Sequence, residues 1–89
     1  MKIKNTFALR NISGSWVALP LGDAIVDFTG MLTLNESGVM LWRMLEVGCT
    51  RENLTEALLS EYEVTYDEAR ADVDAFIAKL EQVGCIDLQ

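Results

Sequence analysis

Histidine is absent from the sequence, which removes the commonest general base and the commonest metal ligand. Cys49 and Cys85 stand far apart, and neither has a second cysteine nearby to build a redox pair or a zinc site. Each follows a glycine where a helix is expected to end, a place that suits a small apolar residue. Ser37 and Ser60 read as polar groups at helix ends, and Gly22, Gly30 and Gly38 are too scattered to cradle a phosphate. A nucleophile would need an activating base set by a scaffold that barely has a core, so no enzyme is expected, nor a cofactor or metal. The remaining chemistry is recognition. Asp72, Phe76 and Lys79 set an aromatic ring between opposite charges along one helix border, an arrangement that suits either a ligand contact or a plain solvated flank.

Net charge narrows the partners. Seven Lys and Arg against fourteen Asp and Glu leave −7 on 89 residues. The first 34 residues hold Lys2, Lys4 and Arg10 against Asp23 and Asp27, a net +1, so the remainder carries −8. Phosphate backbones and anionic lipids are bound by matched Lys and Arg, so neither nucleic acid nor a membrane is an expected partner. Eighty-nine residues allow one domain with a thin core. The lack of a signal peptide or of a run of about 18 apolar residues points to a cytoplasmic, reduced protein.

These residues must be positioned by a strand-rich first third and a helical remainder. Residues 7–12 and 15–19 are apolar-rich segments separated by Ser13-Gly14, a pair suited to a tight antiparallel hairpin. Pro20 ends the second segment or lies on an edge, and Gly22-Asp23 turns the chain. From Ala24 onward apolar residues alternate with others, which fits one long strand or a turn at Thr29-Gly30. In either case Met31, Leu32, Thr33 and Leu34 form a strand.

At Asn35 the period changes to that of a helix. Asn35 caps it, Val39, Trp42 and Leu45 recur at spacing three beside Leu41 and Met44, and Gly48 supplies a left-handed stop after about Glu46. Thr50 caps a short second helix whose stripe is Leu54, Ala57 and Leu58. Thr65 and Glu68 form a capping box at the head of the third helix, which Gly84 ends. At 100° per residue Ala69, Val73, Phe76, Ile77, Leu80 and Val83 share its core face, while Ala71, Ala75, Ala78 and Gln82 line the opposite side. Three antiparallel strands followed by three helices predict a small α+β domain of winged-helix-turn-helix type. The third helix, with five acids against Arg70 and Lys79, is ill suited to DNA.

From about Phe7 to Ile86 the order of these pieces resembles the PqqD-like family. Leu34-Asn35-Glu36-Ser37-Gly38 is similar to the family's Leu-Asn-Glu-Thr-Gly signature, and Leu41-Trp42 and Leu45-Glu46 with Gly48 follow it. Thr50, Glu52 and Leu54, then Leu58, Tyr62 and Val64, then Asp72, Val73, Phe76, Ile77, Leu80 and Gly84 complete the match. The resemblance implies a stand-alone peptide-recognition element of the kind that serves enzymes acting on ribosomally made peptides. A precursor's leader segment would add as an antiparallel strand beside Met31, Leu32, Thr33 and Leu34, in a groove bordered by Asp72, Phe76 and Lys79. It further implies a separate peptide-modifying partner, such as a radical S-adenosylmethionine enzyme, a leader peptidase or a lasso-peptide system. Rival readings are a small acidic carrier protein, for which Ser37 lacks the usual Asp-Ser-Leu setting, and a winged-helix DNA-binding protein.

Overall fold

The structure, a computed structural model, describes residues 1–21 and 32–88. Its elements run β1 (Lys2–Ile3), β2 (Phe7–Ile12), β3 (Ser15–Pro20), β4 (Leu32–Leu34), α1 (Glu36–Val47), α2 (Arg51–Glu61), α3 (Tyr66–Val83) and β5 (Ile86–Asp87). The turn at Gly22-Asp23, the pattern from Ala24, the Thr29-Gly30 turn and Met31 lie outside the described residues.

β2, β3 and β4 form an antiparallel sheet in chain order, with Ile12 opposite Ser15 and Trp16 opposite Leu34. Ser13 and Gly14 both have positive φ, 53° and 86°, as the mirror-image two-residue hairpin turn requires. The sheet turns Leu9, Ala18 and Leu34 into the core against the three helices.

The helices begin where their caps dictate. The Asn35 side chain accepts from the Gly38 amide, and Thr50 and Thr65 form reciprocal capping boxes with Asn53 and Glu68. Gly84 ends α3 in the left-handed conformation. Gly48 also has positive φ, but with ψ 131° it leaves α1 by an extended route, a correction to the left-handed stop expected there. Trp42, Leu45, Leu54, Ile77, Leu80 and Val73 are the largest fully buried side chains. Phe76 and Val83 pack against this core half-buried. On α2 the fully buried position beside Leu54 and Leu58 is Thr55, while Ala57 is half-buried. Thr55 tolerates that place because its hydroxyl donates to the Arg51 carbonyl at 2.9 Å.

A second, two-stranded sheet pairs β1 with β5, Lys2 opposite Asp87 and Ile3 opposite Ile86, which the sequence pattern had not revealed. Two-residue strands are too short to show a period, so only the meeting of the two ends creates them. The Lys4 amide donates to the Cys85 carbonyl and so ties the end of α3 to the start of β2.

Candidate functional site

Strand parity decides which backbone groups of β4 face outward. In the β2–β3 ladder the Leu21 amide donates to the Thr6 carbonyl at 2.7 Å, which places the hydrogen-bonded pairs at 6/21 and every second pair along the register. The odd-numbered residues of β3 therefore bond to β2 and the even-numbered ones, Trp16 and Ala18, bond to β4. Their partners Leu34 and Leu32 spend their N–H and C=O groups on β3. Thr33 points both of its groups to the free side, and among the described residues neither has a partner.

Beside this edge the start of α1 comes close to α3. A Cβ built on Gly38 would lie 3.3 Å from the Leu34 Cβ and 3.5 Å from the Phe76 Cε1, so the absence of a side chain there lets strand, helix and aromatic ring converge. Gly38 lies on the floor of a cavity of about 270 Å³ walled on one side by Asn35, Ser37 and Leu41 and on the other by Asp72, Phe76 and Lys79. Asp72, Phe76 and Lys79 thus share one wall. Ala75, which the helical wheel put with the opposite face, also lines this cavity. A second cavity of about 340 Å³ lies toward the hairpin tip, lined by Trp16, Thr33, Leu34, Glu36 and Val39.

The charges along α3 divide by direction. Toward α2, Asp74 pairs with Arg51 at 2.7 Å, Arg70 lies 3.4 Å from Glu52, and the Tyr66 hydroxyl donates to Glu52 at 2.8 Å. That hydrogen bond to a carboxylate raises the Tyr66 phenol above its usual range. Toward the cavity, Asp72 and Lys79 are exposed and have no ion-pair or hydrogen-bond partner among the described residues. Asp74 is therefore paired where α3 meets α2, while Asp72 and Lys79, of opposite charge, stay unpaired at the cavity among the described residues.

The cysteines are poor nucleophiles. Burial pushes the Cys85 thiol up to about 11 and also raises Cys49, against the opposing pull of the chain's N-terminal ammonium. Ser37 donates its hydroxyl to the Asn35 side chain at 3.0 Å, as part of the α1 cap. Among the described residues no cluster of His, Cys, Asp or Glu is arranged to hold a metal ion, and no helix is long and apolar enough to cross a membrane.

The family model for coenzyme PQQ synthesis protein D (PqqD) matches residues 15–86, which span the hairpin, the β4 edge and all three helices. The chain belongs to the PqqD family. The fold is α+β and winged-helix-like, as in solved structures it resembles. One is a lasso peptide synthetase B1 complexed with the leader peptide, 21% identical, covering 94% of this chain and 93% of that one with a TM-score of 0.74. Another is TbiB1 in complex with the TbiA(beta) leader peptide, 25% identical, covering 98% of this chain and 100% of that one with a TM-score of 0.72. No curated protein matches the chain. Within this PqqD-family fold, the signature glycine Gly38 has a local reason, since an added Cβ would crowd the Asn35 Oδ1 at 3.2 Å and the Leu34 Cβ at 3.3 Å.

Proposed function

We propose that this chain is a single peptide-recognition domain that binds the leader segment of a ribosomally synthesised precursor by strand addition and presents it to a separate modifying enzyme. The observation that carries this reading is the outward N–H and C=O of Thr33, unpartnered among the described residues, on an edge beside a cavity walled by Asp72, Phe76 and Lys79. An antiparallel peptide residue exchanges two hydrogen bonds with Thr33, and its neighbours turn their side chains toward the helices. Main-chain pairing accepts many sequences, so the Phe76 ring and the two flanking charges supply selectivity. Leader-peptide complexes of the two similar proteins support the same use of the fold here. The chain acts without catalysis of its own, and the chemistry belongs to the partner, a radical S-adenosylmethionine enzyme, a leader peptidase or a lasso-peptide enzyme.

The reading also takes Met31, which lies outside the described residues, as a peptide-binding residue, together with Leu32 and Leu34, whose side chains anchor the strand from below. Amide-shift mapping with the leader of a precursor encoded beside this gene tests the reading. Perturbations should centre on residues 32–34 and 72–79. Shifts confined to α2 or the β2–β3 hairpin would refute the groove even if a peptide binds.

A further inference from the structure

Asp72 and Lys79 are seven residues apart on α3, two turns and about 10.5 Å along its axis. Their order relative to β4 follows from what surrounds each. Asp72 also lines a smaller adjoining cavity with Ser37, Tyr62 and Val64, so it lies where α1 begins and α2 finishes, beyond the last residue of β4. Phe76 stands level with Gly38 and Leu34. Lys79 lies toward the C-terminal end of α3, where Gly84 and Cys85 donate to the Leu80 carbonyl and Cys85 accepts from Lys4 just before β2. Phe7, the first residue of β2, is opposite Pro20, at the end of the sheet away from the Trp16–Leu34 pair. The helix thus runs opposite to β4, and a strand added antiparallel to β4 runs the same way as the helix.

Resting on the strand-addition reading, we infer that the groove reads charge polarity: it selects a peptide with a basic groove-facing side chain followed two or four residues later by an acidic one. The N-terminal part of such a peptide lies beside Asp72, and its C-terminal part lies beside Lys79. Glu36, at the first position of α1 and lining the neighbouring cavity with Thr33, adds a second carboxylate at the Asp72 end. Strand residues rise about 3.3 Å each and alternate faces, so groove-facing side chains come at even spacings of about 7 or 13 Å, which bracket the separation of the two charges.

The test uses two synthetic twelve-residue peptides of Thr and Val, one with Lys before Glu at even spacing and the other with the same residues in reversed charge order. Both are titrated to millimolar concentration into the isotopically labelled protein. The Lys-first peptide should bind about five- to tenfold more tightly at low salt, with the Thr33 amide among the shifted signals, and the preference should invert in the Asp72→Lys, Lys79→Glu double variant. Both sites are exposed and the swap leaves the net charge unchanged, so the variant should fold. Equal binding of the two peptides with the Thr33 amide shifting would overturn the polarity while leaving strand addition intact. No shift at Thr33 with either peptide would overturn strand addition and the polarity with it.

Discussion

The described sheet has two edges, and they are treated differently. On β2 the outward-facing residues are the odd-numbered ones, and the Leu9 carbonyl is taken by the Arg10 guanidinium at 3.0 Å. The Phe7 amide turns back to the Lys4 carbonyl, and the Asn11 side chain accepts from Gly14 at the hairpin tip. On β4 the Thr33 groups are unpartnered among the described residues, and Thr33 and Leu34 line the cavity toward the hairpin tip. Unpaired edges invite promiscuous pairing, and natural sheets blunt them with charges, turns or short strands. Here β2 is blunted by its own side chains, while β4, described over the three residues Leu32–Leu34, has no such contact at Thr33 among the described residues. The contrast teaches that the proposed site is defined as much by the closing of one edge as by the opening of the other.

The largest disturbance would remove the support beneath both edges. Trp42 is fully buried, and its ring nitrogen donates to Glu46 at 3.2 Å. Trp42→Ala should cost about 3–5 kcal/mol, read as a lowered denaturant midpoint. An unchanged midpoint would show that α1 does not pack as described.

Next in size is an alkaline effect at the seam that holds the C-terminal end of α3. The folded protein keeps the Cys85 proton up to about 11, whereas the unfolded thiol releases it near 9.0. The raised value stabilises the folded state fully below pH 9, and this contribution is lost as pH rises toward 11, a difference on the order of 2 kcal/mol. Unfolding midpoints measured across that interval should fall, and Cys85→Ala should flatten the fall. A wild-type slope retained in the variant would place the cause elsewhere.

A matched pair of proline substitutions addresses the two edges directly. Thr33→Pro removes an outward donor on β4 and should weaken every leader peptide about tenfold or more, roughly 1.4 kcal/mol, with little change in melting temperature. Asn11→Pro removes an outward donor on β2 and should leave peptide affinity within about twofold while costing roughly 1 kcal/mol of stability through the lost Gly14 contact. Equal losses of affinity in calorimetric titrations would erase the distinction between the edges. The smallest effect is expected from Arg10→Ala, which frees the Leu9 carbonyl. Stability should change by less than about 0.5 kcal/mol, and sedimentation at high concentration should show weak self-association that Arg10→Lys reduces.

Much of the local structure is legible in the sequence. Asn35, Thr50 and Thr65 cap helices because short polar side chains reach free amides within their own turn, a local geometry any chain segment can satisfy. The Ser13-Gly14 hairpin is equally local. Asp72, Phe76 and Lys79 were placed on one border by helical angle alone, and the structure gathers them on one cavity wall. The angle misjudged Ala75, because a wheel gives direction on a helix and not the width of the cleft it faces. It also rated Phe76 a core residue, although the ring is only half-buried and partly faces the cavity.

By itself the sequence determined the order of the hairpin, the following strand and the three helices, the caps that start those helices, the acidic character of the helical part and the family signature around Gly38. Each depends on neighbours a few residues apart. Only the tertiary structure decided that Thr33 turns both backbone groups outward, since that parity passes from the β2–β3 hairpin through β3 to β4. It alone decided that β1 and β5 meet, that Asp74 pairs with α2 while Asp72 lines the cavity, and that Gly38 is where Leu34 and Phe76 converge. Those are contacts between segments distant along the chain, and short-range pattern holds no record of which distant partners the core will bring together.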